Sequence, residues 1–186
     1  MIIKKGLLFA RELIQGFAYP GAVAIDATAG NGKDTLILSE SVGAKGKVYA
    51  FDIQEIAINS LNMQINGLKD NNVKVINDGH ENLDKYVKEP VDIVTFNLGY
   101  LPGGDHNIIT KGETSLIALK KSLSLLKRPG LISIVSYTGH PGGKEENEIL
   151  KKYLKNLKQK EYNVISYRLI NQINNPPELI AIERYQ

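Results

Sequence analysis

The sequence predicts an α/β protein built from five parallel βα steps that end in an antiparallel hairpin. Three observations lead there. Apolar, β-rich runs alternate with helical patterns as far as residue 137. Glycines and a Pro-Gly pair fall where helices should stop. The last two strand-like runs are separated only by Gln172 to Pro177, too short for a parallel crossover.

The elements follow in order. Residues 4–17 place Leu7, Leu8, Leu13, Ile14 and Phe17 as in an amphipathic helix. Strands are expected at 22–28, 47–53, 73–77, 91–97 and 131–137, apolar enough for a sheet covered on both faces. Helices fit between them at 33–42, 54–67, 81–87 and 112–127, with stops at Gly43, Gly67 and Pro129-Gly130. A further helix over 144–159 carries Ile149, Leu150, Tyr153, Leu154 and Leu157 on one side. Runs 162–171 and 178–185 then pair as the hairpin, joined through Asn174-Asn175-Pro176-Pro177. No repeat or linker interrupts the chain, so 1–186 reads as one domain.

Composition narrows the class. Hydrophobic residues make up 42% and charged residues 23%, as in a globular protein. Cysteine is absent, which excludes disulfides, thiolate zinc sites and a cysteine nucleophile. Three histidines argue against a structural metal, and none is expected. No apolar run reaches the roughly 18 residues of a membrane helix. The basic, then apolar N-terminus is broken by Arg11, Glu12 and Gln15, unlike a secretory signal, so a cytoplasmic protein is expected. The net charge of +3 is compatible with a polyanion such as RNA, while the lysines over 144–160 suit a solvated helix face.

The chemistry concentrates at DATAGNGKDT, Asp26 to Thr35, between a strand and a helix. Such a turn aims backbone N–H groups at a ligand. Asp26 is expected to organise the turn and approach a methionine amino group, directly or through water. Gly30 and Gly32 allow close backbone approach, with Asn31 between them tolerating unusual angles. Thr28 stands where a dinucleotide fingerprint has its first glycine, which favours S-adenosylmethionine over NAD. Asp34 and Thr35 suit the first turn of the helix. Asp52 closes the next strand and can accept both ribose hydroxyls, with Ile53 and Gln54 bordering the adenosine. Its alternative role is to cap the helix near Glu55. Gly79 and His80, after Asp78, are placed to line the adenine pocket.

The fourth strand runs into NLGYLPGGD, Asn97 to Asp105. Asn97 offers an amide oxygen to an N–H donor, and the Leu98 carbonyl can do the same. Tyr100 offers an aromatic face or a hydroxyl. Asp105 and His106 are candidates to position or deprotonate an acceptor, and Asp105 equally suits a turn. After the fifth strand, Tyr137 and His140 in YTGHPGG face the same crevice. The Asn97 loop resembles the Asn-Pro-Pro-Tyr signature of amino-methylating enzymes, with Leu98-Gly99 replacing the prolines.

Together, DATAGNGKDT, FDIQ, NLGYLPGGDH and YTGHPGG resemble a small bacterial methyltransferase family long labelled as rRNA methylases, over Ile2 to Arg184. The resemblance implies a class I S-adenosylmethionine-dependent methyltransferase (Rossmann-like) sheet. Characterised relatives methylate 5-aminomethyl-2-thiouridine at the tRNA wobble position to 5-methylaminomethyl-2-thiouridine. By resemblance, Asp26, Asn31, Asp52, Gln54 and His80 lie on the cofactor side, and Asn97, Tyr100, Asp105, Tyr137 and His140 on the acceptor side. The expected partner is the tRNA anticodon loop, with a homodimer plausible for so small an enzyme on so large a substrate. The competing readings are an rRNA methyltransferase, a non-catalytic RNA-binding module and an NAD-dependent oxidoreductase.

Overall fold

The computed structural model describes residues 2–68, 70–105 and 107–185. Helix α1 (Gly6–Phe17) precedes β1 (Val23–Asp26), α2 (Lys33–Val42), β2 (Lys47–Asp52), α3 (Glu55–Ile65) and β3 (Val73–Asn77). A single 3₁₀ turn, His80–Asn82, leads into α4 (Leu83–Tyr86). Then come β4 (Val91–Leu98), α5 (Gly112–Leu125), β5 (Leu126–Ser136), α6 (Gly143–Leu154), β6 (Tyr162–Tyr167) and β7 (Glu178–Arg184). The seven strands form one sheet in the order β3-β2-β1-β4-β5-β7-β6. The first five strands pair in parallel, and β7 inserts antiparallel between β5 and β6. The α/β class and the terminal antiparallel hairpin are therefore as the sequence predicts.

This topology positions the site. The chain winds outward from β1 to β3, then returns to the other side of β1 as β4. Ligands of open α/β sheets bind where the order reverses, beyond the carboxyl ends of the strands. Register brings particular residues there. Asp26 is level with both Ala50 on β2 and Thr95 on β4. Two residues further along, Thr28, Asp52 and Asn97 therefore converge at the rim.

Alternation within the strands builds a core on each face. Ile25, Phe51, Val94, Phe96 and Ile132 pack on one side. Ala24, Val48 and Ile93 pack on the other with Leu38 and Val42 of α2. Phe51 and Phe96 are almost fully buried, each worth about 1.5–3 kcal/mol. Helix α1 lies over β5 and β7 through Ala10, Val135, Leu179 and Ala181. Gly6 lets it approach closely: a Cβ there would stand 2.9 Å from the Pro177 carbonyl oxygen.

Several boundaries differ from expectation: β1 stops at Asp26 and not at 28, and α6 stops at Leu154 and not at 159. Helix α5 ends at Leu125 and β5 starts at once, so Pro129-Gly130 lies inside the strand and not at a helix stop. The pairing jumps from Val91↔Leu126 to Ile93↔Leu131, and the residues between form a bulge. Strand β6 ends at Tyr167 because its partner β7 begins at Glu178, leaving the residues beyond with no strand to pair with. The helix expected over 81–87 is divided into the 3₁₀ turn and the short α4.

At the opposite end of the sheet, buried Asp92 accepts the Tyr19 hydroxyl at 2.7 Å, the Val23 N–H at 2.8 Å and Lys127 Nζ at 2.8 Å. Tyr19→Phe removes one of three donors and is expected to lower stability by about 1 kcal/mol in urea unfolding.

Candidate active site

A cavity of about 550 Å³ opens at the carboxyl ends of β1, β2 and β4. The glycine turn forms its floor. Gly30 and Gly32 both adopt left-handed backbone, φ 50° and 77°, whereas Asn31 does not. The unusual angles expected of Asn31 are carried by the glycines, which have no Cβ to clash. Gly30 and Asn31 line the cavity. Gly32 instead faces α3, where a Cβ would stand 3.0 Å from Leu61 Cδ1. Its close approach is to protein.

Thr28 explains why threonine replaces a glycine. Its Oγ1 accepts the Asn97 backbone N–H at 2.7 Å and ties the turn to β4. Asp26 lies beneath, fully buried and outside the cavity lining. It accepts the Thr28 N–H at 3.2 Å and the Thr35 hydroxyl at 2.6 Å. Burial, reinforced by the negative charge of Asp34, pushes its carboxyl up to about 7.

Asp52, partly buried, joins β2 to the turn. Its Oδ2 accepts the Gly30 N–H at 2.8 Å and its Oδ1 the Gln54 N–H at 2.9 Å. The N-cap of α3 is Gln54, so Asp52 is not the cap. Asp52, exposed Ile53 and buried Gln54 all line the cavity. Gln54 Oε1 also accepts the Asp105 backbone N–H at 3.3 Å, drawing the 103–105 loop over the opening. Gly79 and His80 form the far wall. Burial lowers the His80 pKa, so its imidazole is neutral at physiological pH, and its ring meets Phe96 edge-on.

On the other side stand Asn97, Tyr100 and Tyr137. Asn97 Nδ2 donates to Asp34 Oδ2 at 2.7 Å. Arg11 Nε donates to Asp34 Oδ1 at 2.7 Å. Asp34 thus holds Asn97 and Arg11; it is not the side-chain cap of α2, whose N-cap is Gly32. The Leu98 carbonyl, expected to be available to an acceptor, takes the Tyr137 N–H at 3.0 Å. Burial raises the Tyr137 pKa, helped by Asp34, so the phenol keeps its proton.

Besides Asp26 and Gly32, two further expected residues fall outside the cavity lining. Asp105 is exposed, and its Oδ1 accepts the backbone and side-chain N–H groups of Asn107 at 2.8 and 2.9 Å. It behaves as the turn residue its neighbours allow. His140 donates from Nδ1 to the Pro141 carbonyl at 2.9 Å and packs edge-on against Tyr100, centroids 6.2 Å apart. It supports the wall from behind. His106 lies outside the described residues. Asn174–Pro177 connect β6 to β7, with Asn175 at φ 42°.

Sequence reasoning missed the contribution of α1, which brings Leu7 and Arg11 to the cavity, and that of Ile108 to Lys111 and Thr114. One signal was present: Arg11 sits at helical spacing between Leu7 and Ile14, a charge within an apolar stripe.

Comparisons with known proteins agree with this geometry. A family model described as "Putative rRNA methylase" matches residues 48–183. A curated Arabidopsis thaliana protein, chloroplastic tRNA (mnm(5)s(2)U34)-methyltransferase, is 39% identical over 192 residues, spanning 97% of this chain and 70% of that protein. A Clostridium thermocellum structure described as a "putative rRNA-methylase" superposes with a TM-score of 0.95 at 43% identity, covering 99% of this chain and 100% of its own. A Streptococcus mutans "putative methyltransferase", solved in complex with SAH, superposes with a TM-score of 0.90 at 38% identity, covering 98% and 99%.

Proposed function

The chain belongs to this rRNA methylase family, and from that premise we propose that it is an S-adenosylmethionine-dependent tRNA methyltransferase. Its acceptor is the exocyclic amine of 5-aminomethyl-2-thiouridine at the wobble position, and its product is 5-methylaminomethyl-2-thiouridine. The name of the Arabidopsis thaliana relative supports tRNA over rRNA. The observation that carries the reading is the Asn97 amide. Its nitrogen is engaged by Asp34, which leaves its oxygen to accept an N–H from an amine in the cavity.

The residues present suit the methyl donor. The cavity is large enough for a nucleoside ligand, and one end is a carboxylate beside a glycine turn, with an apolar side chain and a neutral imidazole as further walls. In this reading Asp52 holds the ribose, Ile53 and His80 flank the adenine, and the turn from Thr28 to Asn31 receives the methionine portion. S-adenosylmethionine supplies a methyl group activated on a sulfonium, with no further cofactor. The chain's own residues orient and desolvate. Asn97 directs the amine lone pair by accepting its N–H. Tyr100 and Tyr137 provide aromatic surface for a splayed base, which is cheap to extrude from a single-stranded loop. An aliphatic ammonium has no lone pair, and neither Asp105, whose Oδ1 is taken by Asn107, nor His140, whose Nδ1 donates to the Pro141 carbonyl, lines the cavity. The amine therefore enters neutral, selected by a site that excludes water.

We further read 1–186 as one methyltransferase domain acting in the cytoplasm, where two copies could share one tRNA. No helix among the described residues is long and apolar enough to cross a membrane.

The test supplies purified protein with labelled S-adenosylmethionine and tRNA bearing the aminomethyl nucleoside. Label recovered in 5-methylaminomethyl-2-thiouridine is the expected result. Label on ribosomal RNA alone would overturn the substrate. Failure to bind S-adenosylmethionine in calorimetry would overturn the enzyme and favour a plain RNA-binding module.

A further inference from the structure

Asn97 is usable only if its amide faces the right way. An amide rotated by half a turn presents NH₂ in place of oxygen, and would repel the N–H of an amine. The structure holds a device that settles this. Asp34, 7% exposed, accepts Asn97 Nδ2 on one oxygen and Arg11 Nε on the other, each at 2.7 Å. A carboxylate only accepts, so the Asn97 nitrogen must face it. The Asn97 backbone is pinned separately through Thr28 Oγ1. All three side chains reach the same cavity, although they come from α1, α2 and β4.

We infer that Arg11 and Asp34 are positioning residues which lock the Asn97 amide with its oxygen toward the acceptor, so that the site selects a nucleophile bearing an N–H. The inference deepens the methyltransferase reading and rests on it. Arg11 has a distinct part. Its side chain, 24% exposed, brings a positive charge to Asp34 near the buried Asp26. Without it the second Asp34 oxygen loses its donor, the carboxylate can swing away from Asn97 Nδ2, and the amide can turn over. Arg11 thus acts through two residues and from a helix outside the βα repeats.

The experiment has a structural and a kinetic arm. In the full-length protein without substrate, one Asn97 Nδ2 proton should resonate downfield and exchange slowly, and Asp34→Ala should abolish both properties. An averaged, solvent-like amide signal in the wild type would overturn the inference.

In single turnover at saturating S-adenosylmethionine, Asp34→Asn and Arg11→Ala should each slow transfer by roughly 10–100-fold. Donor affinity should hold, Arg11→Lys should recover part of the rate, and neither Asp34→Asn nor Arg11→Ala should cause further loss in an Asn97→Ala background. Loss of donor affinity alongside rate would mean that Asp34 holds the donor itself. Additive losses would mean that the three residues act apart. Either result overturns the inference. If Asp34→Asn fails to fold, the Arg11 variants carry the kinetic arm. If the wild type leaves aminomethyl tRNA unlabelled, the proposed substrate fails and the amide signals alone judge the positioning.

Discussion

Asp52→Ala is expected to weaken S-adenosylmethionine binding by roughly 100-fold, about 2.7 kcal/mol, as read by titration calorimetry. Two losses combine. A carboxylate has about four lone-pair sites, and two of them hold the Gly30 and Gln54 backbone N–H groups. The remaining two suit the pair of hydroxyls on a ribose. Alanine removes these acceptors and also unties the glycine turn from the end of β2. Charge-assisted hydrogen bonds of this kind are each worth about 1.5–3 kcal/mol. Asp52→Asn separates the two losses, because its amide oxygen can still hold the Gly30 N–H while its nitrogen cannot accept a hydroxyl. It should fall between wild type and alanine. Unchanged affinity in Asp52→Ala would show that the nucleoside is held elsewhere.

The residues legible in the sequence share a physical property: each sits where a strand ends. Asp26 and Asp52 close β1 and β2, Asn97 is the last residue but one of β4, and parallel register alone gathers strand ends on one edge. The glycine turn was legible because left-handed backbone has few alternatives to glycine. Arg11 was harder to see, because its partner lies 23 residues away and no local pattern joins α1 to α2. Asp105 and His140 show the reverse difficulty. Their side chains have the chemistry of a base, but Asp105 finds donors two residues on and His140 a carbonyl on its neighbour. Local hydrogen bonds of that kind are decided by loop dihedrals, which residue type does not specify. Pro129-Gly130 is similar: it punctuates the chain equally well as a helix stop or as a strand bulge, and the pairing of β5 with β4 decides which.

Asp26→Asn is expected to make the protein more stable than wild type at pH 8 and no more stable at pH 4. The Asp26 carboxyl titrates at about 7 in the folded protein against 3.8 for an ordinary aspartate. The sign follows from linkage: the folded state holds this proton more tightly than the unfolded chain does. Its contribution is therefore fully present below about pH 4 and is lost as pH rises through 7. At 1.36 kcal/mol per pKa unit the loss approaches about 4 kcal/mol, an upper bound for a site that can relax. Asparagine keeps the shape and carries no charge. Its oxygen can accept the Thr28 N–H, and the Thr35 hydroxyl can rotate to accept from its nitrogen. Denaturant titrations of both proteins from pH 4 to 8 would read the difference directly, and parallel curves would refute it. Asp26→Asn should therefore gain stability at neutral pH.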